Sequence, residues 1–518
     1  MKNDDLKRRR RRVHRGASRP VRLLPAAPEA SPAAGLEREL KLEVPDGAWE
    51  GVARAMRGAE LEQVPLRAVY LDTADGALAR AGIALRLRRE GADWVQTLKA
   101  RGSGPFERLE DNVPVPSSGD AVPSPDLARH REPRVREALR RAVGDAPAAV
   151  LPLFEVSVTR HVRRMRFGDS LVELALDDGR ISAAGRTRPI RELELELVEG
   201  GFGDLLQLAR RWREKHGLWL AVASKAERGR RLAAGELYAP PAHAQLPVLP
   251  DGCSIGEFTS AVLASSLEQV LANAGEVAAG SQSDEHVHQL RVGLRRLRSA
   301  LRELPWLAAD RERAEAALAA VFRALGERRD RTHVLHTIQP LVEAAGGPAL
   351  RMPPGFHESE DLGAAVRGDA FQDTLLALLQ RTESVRTEDG DRLKRTLRAL
   401  LSKLQRQVAR DGERYTRLSP ERQHRVRKRL KRLRYLAEFA GPLFPQKAVA
   451  KYLEAIRPAQ EALGDYNDEV MAWQLYGELA HADPDAQFGV DWLAGRQKGE
   501  AKACQKALRK MGKAQVFW

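Results

Sequence analysis

Short runs of alternating charged and aliphatic residues recur through the first half of this chain. The run LERELKLEV at positions 36–44 has a charged side chain at nearly every second residue. A period of two is the spacing of a β-strand, whose successive side chains point to opposite faces. One face carries Glu37, Glu39, Lys41 and Glu43, and the other carries Leu36, Leu40, Leu42 and Val44. The run therefore predicts a strand with one strongly charged face.

The same pattern returns in later segments: IALRLRR, WVQTLKAR, FERLED, ELALD and RELELEL. Their charged faces carry Arg86, Arg88, Lys99, Arg108, Glu110, Glu173, Asp177, Glu192, Glu194 and Glu196. One such strand is most often explained by a solvated outer face. The repetition, with both signs of charge, instead predicts a small closed β-barrel with a polar lumen and aliphatic faces packed against helices.

A lumen that carries acids and bases together suits a metal-bound polyanion. Carboxylates supply the oxygen ligands that hard divalent cations prefer, and arginine and lysine bind phosphate oxygens. A nucleotide-binding P-loop is not an alternative, because no lysine in the chain is followed by serine or threonine. Phosphate chemistry is therefore expected inside the barrel.

The charge of the whole chain indicates an anionic partner. Lysine and arginine total 86 against 71 aspartate and glutamate residues, a formal net charge of +15 over 518 residues. Such an excess is typical of proteins that bind nucleic acid, acidic membranes or phosphate polymers. No nucleic-acid-binding motif is evident, which argues against nucleic acid. No apolar run is long enough for a membrane span.

The cysteines and the N-terminus bear on location. Cys253 and Cys504 are too few for a disulfide framework or a cysteine metal site. The basic N-terminus is not followed by the apolar stretch of a signal peptide. We expect a cytoplasmic protein without a membrane association.

A change of pattern divides the chain into two domains. Residues 1–34 are predicted to be a disordered basic and proline-rich arm, 35–235 the mostly β domain, and 236–253 a proline-rich linker. Residues 254–518 show long helical periodicity rich in alanine, leucine and arginine. The predicted fold class is α+β and multidomain, a β-barrel followed by an all-α domain.

The helical half contains an internal repeat. VHQLRVGLRRLRSAL resembles QHRVRKRLKRLRYLA at an offset of 136 residues, and we place the copies at about 254–345 and 365–518. The copies carry two basic rows at helical spacing: His288, Arg291, Arg295 and Arg298, and His424, Arg427, Lys431 and Arg434. A solvated face would explain one row. Two rows favour an anion-binding surface, because like charges at this spacing repel one another.

The strand motifs resemble those of the CYTH domain of the triphosphate tunnel metalloenzymes. The resemblance is carried by the ExExK signature Glu37-Arg38-Glu39-Leu40-Lys41 followed in order by LRLRRE, TLKARG, LALDDG, ELELEL and ASKAERG. It implies an eight-stranded antiparallel tunnel that uses Mg²⁺ or Mn²⁺. It also implies hydrolysis of inorganic triphosphate or thiamine triphosphate, or the cyclisation of ATP performed by a related branch.

The resemblance further implies roles for individual residues. Glu37, Glu39, Asp177, Glu194 and Glu196 would bind metal, and Glu37, Glu39 and Lys41 would be catalytic. Lys41, Arg86, Arg88, Lys99, Arg160 and Lys225 would hold the phosphates. Two points stay open: VTRHVRRMRF offers several arginines besides Arg160, and a register slip of two residues would exchange Glu192 with Glu196.

The helical half is similar to the CHAD domain, a module often found after CYTH. The two basic rows, the segments LGERRD and LGDYND and the terminal KAQVFW carry this resemblance. It implies two related helical bundles around a basic surface that binds inorganic polyphosphate through the residues of both rows. His288 and His424 would be either phosphate contacts or buried partners that fix helix geometry.

These expectations combine into one functional hypothesis with alternatives. The chain is predicted to be a metal-dependent triphosphatase that converts inorganic triphosphate to pyrophosphate and phosphate, fused to a polyphosphate-binding module. The module would raise the local substrate concentration or place the enzyme on polyphosphate granules. The alternatives are a polyphosphate-binding protein without turnover, an adenylyl cyclase and a thiamine triphosphatase. The clustered carboxylates argue against a protein that only binds.

Overall fold

A computed structural model describes residues 35–57, 61–91, 93–101, 107–116, 121–144, 149–350, 361–383 and 389–518. The predicted arm at 1–34 lies outside these residues. The strands are β1 (Gly35–Glu43), β2 (Glu62–Thr73), β3 (Ile83–Glu90), β4 (Asp93–Arg101), β5 (Glu107–Val115), β6 (Val150–Phe167), β7 (Ser170–Ala183), β8 (Arg186–Glu199) and β9 (Trp219–Ala221). The helices among and after them are α1 (Trp49–Met56), α2 (Ala77–Arg80), α3 (Pro133–Val143), α4 (Phe202–His216) and α5 (Lys225–Ala234).

The strands form one antiparallel sheet that closes on itself. Its order is β5–β4–β3–β2–β6–β7–β8–β1, and β1 pairs with β5 to complete the ring. In these ladders Glu37 of β1 is opposite Arg108 of β5, and Lys41 is opposite Glu194 of β8. The short β9 adds to β1 beside this closure. The predicted eight-stranded antiparallel tunnel is confirmed.

The aliphatic residues of the alternating segments point out of the barrel and are buried there. Leu40 and Leu42 of β1 and Leu193 and Leu195 of β8 have no exposed surface and share a core with α4. Helices α2 and α3 cover the corresponding faces of β3 and β4. Burying a leucine side chain contributes roughly 1.5–3 kcal/mol. The leucines therefore favour the packed outer faces of the strands, and the charged faces of the same strands point inward.

Helix α5 closes one end of the barrel. It begins with a capping box formed by Ser224 and Glu227. Further along, Ala226 and Leu232 join an apolar cluster with Phe154 of β6. Gly229 lies so close to the Phe154 ring that an added Cβ would meet ring carbons at 2.1–2.5 Å. The helix therefore seals this end of the tunnel by direct packing. The contact leaves no room for a side chain at position 229.

The second half of the described chain is helical, as predicted. Its helices are α6 (Ile255–Ala278), α7 (Asp284–Glu303), α8 (Ala308–His333), α9 (Gln339–Ala344), α10 (Leu362–Arg367), α11 (Asp369–Gln380), α12 (Gly390–Gly412), α13 (Pro420–Ala440), α14 (Gln446–Leu479) and α15 (Ala486–Gly512). A π-helical turn at Val334–Ile338 follows α8. No helix in the described part of the chain has the length and apolarity needed to cross a membrane.

Helices α7 and α13, which carry the two basic rows, pack against each other. Arg296 Nη1 of α7 lies 2.7 Å from Glu438 Oε2 of α13, and Arg432 Nη1 of α13 lies 2.6 Å from Glu303 Oε1 of α7. Such reciprocal contacts are consistent with two copies of one helical unit. The exact limits of the domains, the linker and the repeats stay predictions.

The barrel and the helical half pack directly on each other. Arg213 of α4 is fully buried, and its Nη1 and Nη2 lie 2.6 Å from Asp369 Oδ1 and Asp373 Oδ1 of α11. The Leu220 amide of β9 donates to Gln372 Oε1 at 2.9 Å. The aliphatic core under α4 continues from the barrel into the helical half. The helical half thus covers part of the barrel surface.

We predict that Gly229→Ala destabilises the protein by about 1–3 kcal/mol, because the new methyl group overpacks the contact with Phe154. Urea denaturation would measure the free energy of unfolding. Gly495→Ala in α15 is the matched control, since its Cβ would meet nothing within 4 Å. Alanine there should be neutral or stabilising by up to about 1 kcal/mol. Equal stability of both variants would contradict the packing described for α5.

Candidate active site

A cavity of about 490 Å³ lies in the barrel interior, lined by the charged strand faces. The predicted tunnel residues that border it are Glu37, Glu39, Lys41, Arg86, Arg88, Lys99, Arg160, Glu194, Glu196 and Lys225. Asp177 is fully buried and contacts Arg160 and Lys225. The structure brings all the predicted tunnel residues together, while their individual roles stay predictions. A hollow of about 590 Å³ outside the barrel, along β2, β6 and β7, is lined by none of them.

Three buried carboxylates, Asp177, Glu192 and Glu194, form what we call the inner cluster. One oxygen from each lies within 4.8 Å of the others. Lys225 Nζ lies 2.7 Å from Asp177 Oδ2 and 3.0 Å from Glu194 Oε1, and it also contacts Glu192. Arg160 Nη2 donates to Asp177 Oδ2 at 2.7 Å and to Glu194 Oε2 at 2.6 Å. The Arg160 side chain therefore faces the lumen, which the sequence left open.

The cations keep Asp177 and Glu194 of the inner cluster ionised. Burial alone would raise the pKa of Glu194, but Lys225, Arg160 and Lys41 hold it well below its ordinary value. Burial likewise opposes the charge on Lys225, yet Asp177 and its neighbouring glutamates raise the pKa of this lysine. Charges that are buried and paired in this way persist across the physiological pH range. Lysine and arginine thus neutralise carboxylates that a bound metal ion would also neutralise.

A second group, the outer cluster, consists of Glu37, Glu110 and Lys99. Lys99 Nζ lies 2.7 Å from Glu37 Oε2 and 2.9 Å from Glu110 Oε2. Burial raises the pKa of Glu37 to about 8 against the opposing charge of Lys99, and repulsion from Glu39 and Glu110 adds to the rise. A hydrogen bond between the two carboxyl groups and the Lys99 charge lower the pKa of Glu110 despite its burial. One proton is therefore shared between two carboxyl groups at neutral pH.

Lys41 and Glu39 lie between the two clusters. Lys41 contacts Glu39, and its Nζ lies 3.5 Å from Glu194 Oε1. Glu39 is opposite Glu196 in the β1–β8 ladder. Burial raises the pKa of Glu196 to about 7, with Lys99 opposing and other acidic neighbours adding to the rise. The ExExK signature therefore joins the inner and outer carboxylates along one strand.

The arginines of β3 occupy the remaining lumen. Arg86 Nη1 lies 3.5 Å from the Tyr70 hydroxyl, and Arg86 Nη2 lies 3.8 Å from Glu110 Oε1. Arg88 Nε donates to Glu90 Oε1 at 2.6 Å. Both arginines line the cavity, and Arg86 lies beside the outer cluster. They can therefore meet an anion that enters the tunnel.

Sequence reasoning assigned no role to Glu110, Glu192 or Tyr70. Glu110 lies on a recognised charged face, so its alternation with Arg108 was an available signal. Glu192 was weighed as an exchange partner for Glu196. The structure places Glu192 in the inner cluster and Glu196 at the cavity wall, and both face inward. A single tyrosine on a strand gives no comparable signal.

The basic rows of the helical half lie on the packed helices α7 and α13. Arg291, Arg295 and Arg298 surround the Phe322 ring of α8 at 4.7, 5.9 and 5.6 Å from its centroid. Lys428 of α13, which was not among the predicted residues, has a pKa lowered by burial and by its proximity to Arg298 and Arg302, among other arginines. The two helices thus bring basic side chains together.

Members of the second row differ in their contacts. The His424 side chain reaches solvent. Its pKa is lowered by partial desolvation and by the charges of Lys428, Arg427 and Lys431. Arg434 turns to Glu438, with Nε 2.7 Å from Oε1. Arg427 Nε donates to the Leu463 carbonyl at 3.2 Å. In the first row, His288 is half-buried. Arg434 is thus engaged in an ion pair, whereas His424 stays at the surface.

Two family comparisons identify the domains. Residues 35–229 match the CYTH domain and residues 261–477 match the CHAD domain. The chain is a CYTH domain joined to a CHAD domain. An uncharacterized protein of Mycobacterium tuberculosis is 29% identical over 539 residues, which is 93% of this chain and 98% of that protein.

Two further similarities cover part of the chain. An inorganic triphosphatase of Haemophilus influenzae is 32% identical over 164 residues, which is 31% of this chain and 44% of that protein. The crystal structure of the CHAD domain from the plant Ricinus communis is 25% identical, with a TM-score of 0.43, and the match covers 52% of this chain and 96% of that chain.

The donor atoms of the CYTH tunnel fit a hard divalent cation. Both clusters offer carboxylate oxygens, and Asp177, Glu192 and Glu194 already lie within the spacing of a shared ion. The residues that line the cavity include neither cysteine nor histidine. Oxygen-only sites suit Mg²⁺ or Mn²⁺ better than the softer metals that prefer sulfur and nitrogen.

The raised pKa values of Glu37 and Glu196 predict how stability depends on pH. A carboxyl whose pKa rises from 4.5 to about 8 or 7 on folding binds more protons in the folded than in the unfolded chain between those values. Its contribution therefore makes the metal-free protein less stable as pH rises through this window.

Metal binding should reverse this trend and release about one proton near pH 7, because metal-ligating carboxylates are deprotonated. Calorimetric titration with Mn²⁺ in buffers of different ionisation enthalpy would count the protons. Glu37→Gln should reduce the number released. A titration enthalpy that is the same in every buffer would show that Glu37 and Glu196 do not lose a proton to the metal.

Proposed function

We propose that this CYTH–CHAD chain hydrolyses inorganic triphosphate to pyrophosphate and phosphate with Mg²⁺ or Mn²⁺, and that its CHAD domain binds polyphosphate. The proposal is carried by one observation: two carboxylate clusters and a set of basic side chains line one tunnel that α5 closes at one end. The similarity of part of the chain to the inorganic triphosphatase of H. influenzae supports it.

The lining of the tunnel favours an inorganic substrate over ATP or thiamine triphosphate. Tyr70 is the aromatic residue among those that line the cavity. Its ring stacks on Phe154, with centroids 4.6 Å apart and planes 13° apart. One face of Tyr70 is therefore already covered, and most of the other lining side chains are charged. A substrate made only of phosphate matches this surface better than one with a base or thiamine ring.

In the proposed mechanism, basic side chains grip the phosphate oxygens. Lys99 is part of the outer cluster and Arg86 lies beside it, while Lys41, Arg160 and Lys225 lie beside the inner one. Arg88 lines the same cavity. A cation held by these carboxylates would neutralise charge on the triphosphate. The fixed guanidinium and ammonium groups would align the terminal phosphate and stabilise the charge that develops on the bridging oxygen.

The outer cluster supplies the group that accepts a proton. A water oxygen attacks the terminal phosphorus, and the bond from this phosphorus to the bridging oxygen breaks. Pyrophosphate leaves with that oxygen, and the water becomes part of inorganic phosphate. An ionised Glu37, expected once the metal has displaced its proton, would take the water proton.

The first prediction from this function is metal-dependent phosphate release. Purified protein should release phosphate from tripolyphosphate faster than from ATP or thiamine triphosphate with Mg²⁺ or Mn²⁺, and EDTA should stop the reaction. Glu39→Gln should lower the rate by at least about a hundredfold, because it removes a proposed metal ligand. Glu155→Gln is the matched control, since Glu155 pairs with Arg67 at the surface.

The outcomes separate the alternatives. Turnover of thiamine triphosphate or ATP in preference to tripolyphosphate would replace the substrate assignment, and cyclic AMP among the products would indicate a cyclase. Binding of tripolyphosphate without turnover of any of the three would leave a polyphosphate-binding protein. Equal activity of the two glutamine variants would contradict the role of Glu39.

The CHAD part of the proposal rests on basic side chains of α7 and α13 that lie close together. Arg298 and Lys428 belong to different predicted copies of the repeat, yet Arg298 is close enough to lower the pKa of Lys428. Repulsion of this kind is relieved when a polyanion binds. We propose that the CHAD domain holds cytoplasmic polyphosphate, including that in granules, near the tunnel that cleaves short chains.

We predict that Lys428→Ala weakens polyphosphate binding and makes it less dependent on salt. The slope of log affinity against log salt concentration should fall by about one for each phosphate that the lysine neutralises. Binding of a labelled polyphosphate at several salt concentrations would measure both effects. Lys403→Ala in α12 is the control, because Lys403 is an exposed lysine that lies on neither α7 nor α13. Equal effects of the two substitutions would mean that binding reflects net charge alone.

A further inference from the structure

Helix α5 connects the tunnel to the CHAD domain through successive turns. Lys225 at its start reaches the inner cluster, and Arg228 one turn later contacts Glu192 of that cluster. Arg231 comes another turn later, and its Nη1 lies 2.6 Å from Glu276 Oε1 of α6. The helix that carries a proposed phosphate ligand is therefore held at its far end by a residue of the CHAD domain.

The Arg231–Glu276 pair is buried, with both side chains only 9% exposed. Loss of one partner would leave the other as an unpaired charge away from water, which is strongly unfavourable. Arg188 lies near the acidic groups Glu276 and Glu43. Arg228 and Arg231 add positive charge beside it. Without the Glu276 charge, the three arginines would have one acidic neighbour fewer. Their mutual repulsion would then drive Arg231 toward solvent.

A movement of Arg231 cannot remain local, because α5 is packed tightly. Gly229 lies between Arg228 and Arg231 in the chain and is in direct contact with the Phe154 ring. Phe154 in turn stacks on Tyr70, which contacts Arg86 in the lumen. Close-packed contacts of this kind transmit displacement. A shift at Arg231 would therefore reach both Lys225 and Arg86.

We propose that Glu276 of the CHAD domain is a positioning residue for the CYTH tunnel: through Arg231 it fixes α5 so that Lys225 and Arg228 stay aligned with the inner cluster. The inference rests on the proposed function, because it concerns the grip on triphosphate in that tunnel. Through this contact the CHAD domain completes the tunnel, in addition to whatever it binds on its own surface.

Steady-state hydrolysis of tripolyphosphate by the full-length chain tests this proposal. Glu276→Gln keeps the shape of the side chain but removes its charge. It should raise KM about tenfold and lower kcat less, because a misaligned Lys225 weakens binding of substrate and transition state alike. The double variant Arg231→Glu with Glu276→Arg, which restores opposite charges, should recover most of the loss.

Asp373→Asn is the matched control, because it also removes a carboxylate from a buried arginine between the two domains. Its partner Arg213 lies on α4, outside the barrel, and its guanidinium contacts Asp369 and Asp373 of α11. This variant should lower the melting temperature and leave KM unchanged. The same KM increase in Asp373→Asn and Glu276→Gln, or a wild-type KM in Glu276→Gln, would overturn the inference while hydrolysis by the wild type stands.

A second variant keeps the test decisive if Glu276→Gln does not fold. Glu276→Asp keeps the charge on a shorter side chain and should raise KM about threefold, and a wild-type KM would count against the proposal. Absence of tripolyphosphate hydrolysis by the wild-type chain would instead overturn the proposed function, and this inference with it.

Discussion

The structure depends on charges that are buried together inside a closed barrel. A single carboxylate or ammonium group transferred from water into such an interior would be strongly destabilised or would lose its charge. Here each is stabilised by neighbours of opposite sign, as in the contacts of Lys225 with Asp177 and Glu194. Where acids crowd one another, Glu37 retains a proton at neutral pH. The metal-free tunnel is thus a network of paired charges. A bound cation and a bound anion would replace some of these pairs.

The same constraint explains why so much of the barrel was predictable from the sequence. Alternation with period two assigns each residue to a face, and it placed Lys41 and Arg86 on charged faces, as the structure does. The pattern alone left the direction of these faces open. Repetition with both signs of charge favoured the interior, and the family resemblance indicated the number of strands. The complete burial of Leu40 and Leu193 outside the lumen agrees with that interpretation.

What alternation could not supply was the pairing between distant segments. The proximity of Glu37 to Glu110 depends on β1 meeting β5 at the closure of the sheet, which no local pattern encodes. Membership of Glu192 in the inner cluster depends on the β7–β8 ladder, which places it opposite Asp177, and Lys225 and Arg228 bind it from outside the sheet. In the helical half, periodicity identified the basic rows. Only tertiary packing shows that Arg434 is engaged by Glu438, and that Lys428 approaches Arg298.

A barrel that turns its charges inward must turn its leucines outward, and this has a consequence for the arrangement of the two domains. The outward faces of β1 and β8 would present a large apolar surface to water if α4 and the helices beyond it did not cover them. Arg213 and Gln372 fix that cover by hydrogen bonds across the contact. The CHAD domain is therefore part of what makes the inward-charged barrel stable, and Arg231 extends this dependence from the outside of the barrel to the helix that closes its lumen. The inward faces of these strands carry the charged groups of the CYTH tunnel. Their outward faces carry the leucines that pack toward the CHAD domain.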